Sequence, residues 1–253
     1  NPRGSATYGA KFMKASNQTI KYYDTEARVY DKSRYLSPAG QRVDQFHKEV
    51  LSELLLNELG SDAIILEAGC GTGRLVEFVS SSAEVVGVDA SLGMLEMAKV
   101  RLGDNAAGTV LLAGDLEKLP FPSASFDAGY AILVLNLIPN ISLALTELAR
   151  VLKPNATFVF NLPNLSSVFV PGGVYVNYRG KTVTKNSSGH RFSHWYTIKE
   201  VENAVTNAGF QVERIVSQPP FLRLSGSSQL LRSHPLSRWL SKSLYYKLKL
   251  VAS

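Results

Sequence analysis

Three glycines at alternate positions, Gly69, Gly71 and Gly73, follow the apolar run Ala63–Leu66 and precede a helical stretch over 74–80. Glycines in that pattern let a strand turn sharply and let the backbone approach a ligand closely. The helix that follows presents free N–H groups at the same point, so a nucleotide-like ligand is the natural occupant. A dinucleotide site of the G-x-G-x-x-G kind needs glycine at position 74, where Arg74 stands. No G-K-[ST] follows, which excludes a P-loop. Asp89 closes the next apolar run, 20 residues after Gly69. An acid there can accept both hydroxyls of a ribose, in NAD or in an adenosine ligand alike, or it caps the helix starting at Ser91. Gly114-Asp115-Leu116 follows a third apolar run, where an aspartate can accept from an exocyclic amine.

The candidate bases lie elsewhere. Two of the four histidines, His190 and His194, fall in His190-Arg191-Phe192-Ser193-His194-Trp195-Tyr196, beside three aromatics. A histidine near neutral pKa suits proton abstraction, and a structural hydrogen bond to backbone is the competing role. His47, next to Phe46 on a helical stretch, reads as structural, and His234 before Pro235 as solvated. The single cysteine, Cys70, excludes an internal disulfide framework and a multi-cysteine zinc site, and no metal is expected.

The elements that must position these residues alternate. Gln41–Leu59 carries an amphipathic helical spacing closed by Gly60. Short apolar runs at 63–66, 85–88, 110–113, within 126–135 and at 156–162 then alternate with helical stretches at 74–80, 91–102 and 142–152. Such a rhythm means a parallel sheet covered on both faces. After Pro163 it breaks: Val174–Lys185 resembles a hairpin, so 164–196 is a small insertion. Thr197-Ile198-Lys199-Glu200 is a capping box opening a helix that ends near Ala208-Gly209, and Phe210–Val216 is a late strand. The fold class expected is α/β, a Rossmann-like doubly wound, mostly parallel sheet with a late antiparallel strand and a small hairpin insertion. The domain proper spans 41–217, after an N-terminal segment 1–40 and before a tail 218–253.

In combination these segments resemble the class I S-adenosylmethionine-dependent methyltransferases. The residues that carry the resemblance are Leu66-Glu67-Ala68-Gly69-Cys70-Gly71-Thr72-Gly73, Val88-Asp89, Gly114-Asp115 with Leu119-Pro120-Phe121, and Phe126-Asp127. Leu148-Ala149-Arg150-Val151-Leu152-Lys153-Pro154 and Ala208-Gly209-Phe210 extend it over roughly 40–217, with small-molecule members such as the ubiquinone/menaquinone biosynthesis methyltransferases as the similar type. The resemblance implies S-adenosylmethionine as cofactor and S-adenosylhomocysteine as product. It implies that Gly69, Gly71 and Gly73 cradle the methionine part, that Glu67 orients loop and cofactor, and that Asp89 holds the ribose hydroxyls with Ala90 beside the adenine. Asp115 and Leu116 would face the adenine ring, and the segment from Ala131 to Leu133 would border the methyl group and the acceptor. Relatives often carry histidines after that strand, where this chain has Leu135-Asn136-Leu137. The N-terminal tyrosines, Tyr22, Tyr23 and Tyr30, would fold over the cofactor as a lid, as the corresponding segment does in similar proteins, or pack as ordinary core or surface residues.

Composition sets the frame. The chain has 253 residues, 45% hydrophobic and 19% charged, which excludes disorder and coiled coil. No stretch approaches the roughly 18 apolar residues of a membrane span. Asn1-Pro2-Arg3-Gly4-Ser5 lacks the apolar core of a signal peptide and reads as a tag remnant, so a cytoplasmic protein is expected. The net charge of +6 belongs to 218–253, where Arg223, Arg232, Arg238, Lys242, Lys247 and Lys249 meet no acid. Leucines at 236, 240, 244 and 248 predict a basic amphipathic helix there. It would dock on the domain, lie on an anionic membrane or lipid substrate, or contact RNA. The leading function is methyl transfer to a small-molecule or lipid-like acceptor. A tRNA-modifying methyltransferase and a non-catalytic S-adenosylmethionine-binding module are the alternatives. Oligomeric state is not readable.

Overall fold

The structure, a computed structural model, describes residues 5–60, 62–103, 108–164, 194, 196–218, 241 and 243–251, with backbone alone for 5–16. Two helices come first, α1 (Ser5–Tyr35) and α2 (Pro38–Leu54). Ser37 separates them: its hydroxyl accepts from the Gly40 N–H at 3.1 Å, and Pro38 opens α2 where a missing N–H costs nothing. Strands and helices then alternate as β1 (Ile64–Ala68), α3 (Arg74–Val79), β2 (Glu84–Asp89), α4 (Leu92–Leu102), β3 (Thr109–Ala113), β4 (Phe126–Ala131), α5 (Ile141–Val151) and β5 (Leu152–Pro163). Then come α6 (Ile198–Asn207), β6 (Phe210–Ser217) and β7 (Ser243–Leu250). The capping box at Thr197 is formed in full, with Glu200 N–H to Thr197 Oγ1 at 3.2 Å and Thr197 N–H to Glu200 Oε2 at 2.7 Å.

The sheet order is β3-β2-β1-β4-β5-β7-β6. The first five strands are parallel to their neighbours, and β7 runs antiparallel to both β5 and β6. One face packs on α2, α3 and α4 through Phe46, Leu51, Val76, Leu95 and Tyr130; the other packs on α5 and α6 through Leu145, Leu148, Phe158 and Val205. The doubly wound α/β arrangement with a late antiparallel strand is therefore present. The order reverses between β1 and β4, and that crevice at the strands' carboxyl ends is where such sheets bind ligands.

The antiparallel strand lies where a helix was expected. Residues 243–250 are β7, and the 236–240 part of that expectation lies outside the described residues. Leucines four apart satisfy a strand as well as a helix, because four is a multiple of two. Here Leu244, Tyr246 and Leu248 enter one core layer while Tyr245 enters the other. Lys247, only 8% exposed, pairs with Glu58 at 2.5 Å and Glu213 at 3.4 Å, so this cation of the tail is turned inward. The hairpin at 174–185 lies outside the described residues.

Candidate active site

The turn after β1 is shaped by its glycines. Gly69 and Cys70 donate their N–H groups to the Val88 carbonyl at 2.7 and 3.0 Å, which pins the loop to the end of β2. All three glycines have positive φ, at 76°, 53° and 75°. A methyl on Gly69 would stand 2.4 Å from Val134 Cγ2, and one on Gly73 would stand 3.0 Å from Ala98 Cβ. At Gly71 a methyl would meet no described atom within 4 Å. Gly69 and Gly71 line a cleft, and Gly73 is not among its lining residues. Gly73 serves the close approach of the loop to α4.

Asp89 ties the glycine loop to the segment that opens α4, where Ser91 is the N-cap residue. Its Oδ2 accepts from the Gly71 N–H at 2.8 Å and its Oδ1 from the Ser91 N–H at 2.8 Å. Each oxygen keeps lone pairs for a ligand, and the side chain lines the cleft. Burial pushes the Asp89 pKa up, against the pull of those N–H groups. Ala90, Asp115 and Leu116 line the same cleft. Asp115 Oδ1 also accepts from the Glu117 N–H at 2.9 Å, a turn that holds its carboxylate in place. Ala131 does not line it: it is fully buried as the last residue of β4. The border is made instead by Ile132, Leu133 and Val134, because Leu133 adopts a left-handed turn (φ 62°) whose N–H donates to Asn161 Oδ1 at 2.7 Å.

Glu67 lines the cleft from β1 and is only 3% exposed. Burial pushes its carboxyl up to about 8, opposed by the Tyr130 phenol, which donates to Glu67 Oε2 at 2.8 Å, and by the positive charge of Arg74. Arg74 stands where a dinucleotide site would have glycine, and it lines the cleft. It pairs with Asp44, lies over the Tyr35 ring with the guanidinium 4.2 Å from the centroid, and is 3.1 Å from His47 Nδ1. Arginine can only donate, so His47 presents Nδ1 as acceptor and carries its proton on Nε2. Burial, then the Arg74 charge, pushes the His47 pKa down to about 3. The structural role read for His47 holds.

α1 covers this cleft from outside with Thr19, Ile20, Tyr23, Tyr30 and Tyr35. Tyr22 is not on the wall; its ring meets Tyr23 edge-on at 5.3 Å. Leu137, Ile138 and Pro139, after β4, complete the wall. Arg74, Tyr35 and this apolar trio escape a motif reading. Their only sequence signals were an arginine at a glycine position and an apolar run longer than its strand.

His194 is half-buried and off the cleft wall. Its N–H donates to the Asn136 carbonyl at 2.6 Å, its ring stacks on Tyr196 at 6.4 Å, and burial lowers its pKa. His190 lies outside the described residues. Among the described residues no group of three or more His, Cys, Asp or Glu side chains could hold a metal ion.

An adenosine ligand with a small amino-acid end fits these groups: a glycine open to the cleft at Gly71, a fixed carboxylate at Asp89, and an apolar residue beside a carboxylate at Leu116 and Asp115. Residues 66–160 match the family model described as a methyltransferase domain. The chain is 30% identical over 194 residues to a ubiquinone/menaquinone biosynthesis C-methyltransferase of Methylobacterium nodulans, covering 73% of this chain and 75% of that one. It is 31% identical over 143 residues to a demethylmenaquinone methyltransferase of Symbiobacterium thermophilum, covering 54% of this chain and 55% of the relative. The chain thus spans about half the length of several curated relatives that it matches. Among solved structures, a SAM-dependent methyltransferase of Thermotoga maritima, described as a possible histamine N-methyltransferase, superposes with a TM-score of 0.64 at 18% identity, covering 90% of this chain and 98% of that one. That likeness speaks for the fold alone. With the glycine loop, the Asp89 carboxylate, the sheet order and the extended match to a methyltransferase all in one chain, this protein belongs to the class I S-adenosylmethionine-dependent methyltransferases.

Proposed function

We propose that this enzyme transfers the methyl group of S-adenosylmethionine to a small, largely apolar acceptor of the quinone or lipid type. The observation that carries the reading is the apolar wall of Leu133, Val134, Leu137, Ile138 and Pro139, which faces the cleft beside the glycine loop. The relatives named for ubiquinone, menaquinone and demethylmenaquinone methylation support an acceptor of that chemistry. On this reading Gly69 and Gly71 cradle the methionine part, Asp89 holds the ribose hydroxyls, and Ala90, Asp115 and Leu116 receive the adenine. Glu67 orients the loop and the cofactor's amino-acid end.

The bound cofactor supplies a methyl group on a sulfonium that leaves as a neutral thioether. The chain then has to align the acceptor and exclude water, and alignment alone gives large rate factors. α1 and the apolar wall do both. For an acceptor that must lose a proton, His190 or His194 is the base the chain offers. Burial favours the neutral, proton-accepting form of His194, and its anchor, Asn136, adjoins the cleft-lining Leu137.

No helix among the described residues is long and apolar enough to cross a membrane. Contact with a membrane surface, on its cytoplasmic side, belongs to the same reading, and residues 218–242 supply it with Arg223, Arg232, Arg238, Lys242 and no acid. The test is incubation with methyl-labelled S-adenosylmethionine and whole-cell extract, followed by partition of the label. Label in the organic or small-molecule fraction is expected. Label released by RNase would overturn the reading in favour of a tRNA acceptor.

A further inference from the structure

Two carboxylates fasten α1 over the cleft. Asp24 Oδ1 accepts from Ser91 Oγ at 2.6 Å and from the Gly93 N–H at 3.0 Å. Asp31 Oδ1 accepts from Thr72 Oγ1 at 2.8 Å, and its other oxygen pairs with Arg101. Arg101 in turn donates from Nε to the Thr72 carbonyl at 3.0 Å, which closes a triangle between α1, the glycine loop and α4. The two aspartates are seven residues apart, two helical turns, so they project from one face of α1. The helix fits there closely: a methyl on Gly93 would stand 2.9 Å from the Asp24 carbonyl oxygen.

The segments they hold are the two that orient Asp89. One Asp89 oxygen is fixed by the Gly71 N–H, next to Thr72, and the other by the N–H of Ser91 itself. α1 therefore grips, by side chain, both ends of the frame around that carboxylate. We propose that Asp24 and Asp31 are positioning residues that make α1 a latched gate, holding it over the cleft and keeping Asp89 aimed at the cofactor. The proposal rests on the reading of Asp89 as the ribose contact. The latch consists of a few hydrogen bonds and one ion pair between partly exposed groups, each weak alone, so it can hold the helix and still release it once per turnover. Donor and product both pass the gate, so opening limits entry as well as exit.

Stopped-flow binding of S-adenosylhomocysteine separates a gate from an ordinary contact. In the Asp24→Ala/Asp31→Ala variant, association and dissociation rates both rise, each about ten-fold, while Kd shifts by less than about three-fold. Asp24→Asn, which keeps an oxygen for Ser91 and Gly93, stays near the wild type. The preference for S-adenosylhomocysteine over its 2′-deoxy analogue also falls in the double alanine variant, because Asp89 is less well aimed. Unchanged rates, or faster dissociation with unchanged association, would overturn the gate. Should the double variant fail to fold by circular dichroism, Thr72→Val against Thr72→Ser asks the same question of the Asp31 arm, with Val accelerating both rates and Ser neither. Asp89→Ala is the control on the underlying reading. Wild-type affinity in that variant sinks the ribose contact, whereas lost affinity there beside unchanged rates in Asp24→Ala/Asp31→Ala sinks the latch alone.

Discussion

The placement of Glu67 predicts that cofactor binding releases a proton. Its carboxyl lines the cleft, is 3% exposed, and is pushed up to about 8 by burial. At pH 7 roughly nine in ten such groups hold a proton, and at pH 8 about half. A cationic ligand arriving beside it favours the ionised form, so S-adenosylmethionine expels that proton. Linkage then makes the apparent Kd fall about five-fold between pH 7 and 8 and less than about two-fold between pH 8 and 9. Titration calorimetry at pH 7 in two buffers of different ionisation enthalpy counts the proton directly, with about 0.9 expected for full ionisation. The cofactor's own amine titrates nearby, so Glu67→Gln is the control, and the difference between the two proteins is the quantity of interest. Stability moves the other way with pH. A carboxyl raised from 4.5 to about 8 contributes stability that is full below pH 4.5 and is lost as pH rises through 8. The ceiling on that loss is about 5 kcal/mol. Without cofactor, wild-type Tm therefore drops between pH 6 and 9 while that of Glu67→Gln stays level. Equal heats in the two buffers for wild type, or proton release retained in Glu67→Gln, refutes the argument.

The two cleft-lining glycines should fail differently on substitution. Gly71→Ala carries mainly the left-handed backbone cost, about 1 kcal/mol in urea unfolding, yet its methyl enters the cleft and weakens S-adenosylmethionine binding at least about ten-fold. Gly69→Ala adds the overlap with Val134 and costs about 3 kcal/mol or more by the same measurement. His47, held neutral with its pKa down at about 3, contributes stability that is full above pH 6.5 and lost as pH falls toward 3, so His47→Gln flattens the acid limb of a Tm-against-pH curve. Ending the chain at Lys242 removes β7 from between β5 and β6, and the product is expected to be insoluble or unfolded by circular dichroism, unlike a protein that has merely lost a tail.

The cofactor half of the cleft was legible because its groups sit within three residues of a strand end, where local motifs are written. Gly69, Gly71, Asp89, Asp115 and Leu116 all arrive that way, each at the carboxyl end of a parallel strand. Gly73 shows the limit of that logic: the spacing marks a glycine, but only the position of Ala98, 25 residues away, says that it serves packing. Ala131 shows another. Strand alternation carries its side chain into the core, and the turn at Leu133 that re-aims the chain depends on Asn161 in a different strand.

The tail was misread for a reason of period rather than of composition. Leucines every four residues fit a helix and a strand alike, so the tie has to be broken by the residues between them. Tyr245, Tyr246 and Lys247 break it toward the sheet, two aromatics of high strand propensity and a lysine whose partners, Glu58 and Glu213, lie far away in the chain. Charge counting failed at the same place, because a cation's meaning depends on what faces it. Lys247 ties β7 to Glu58 and Glu213, and the surface role proposed for the tail rests on the cations before residue 243. It follows that Lys247→Ala should lower Tm with no change in the salt dependence of activity, whereas replacing Arg232 and Arg238 together should do the reverse. If Lys247→Ala weakened activity in a salt-dependent way at unchanged Tm, its inward pairing would not be its function.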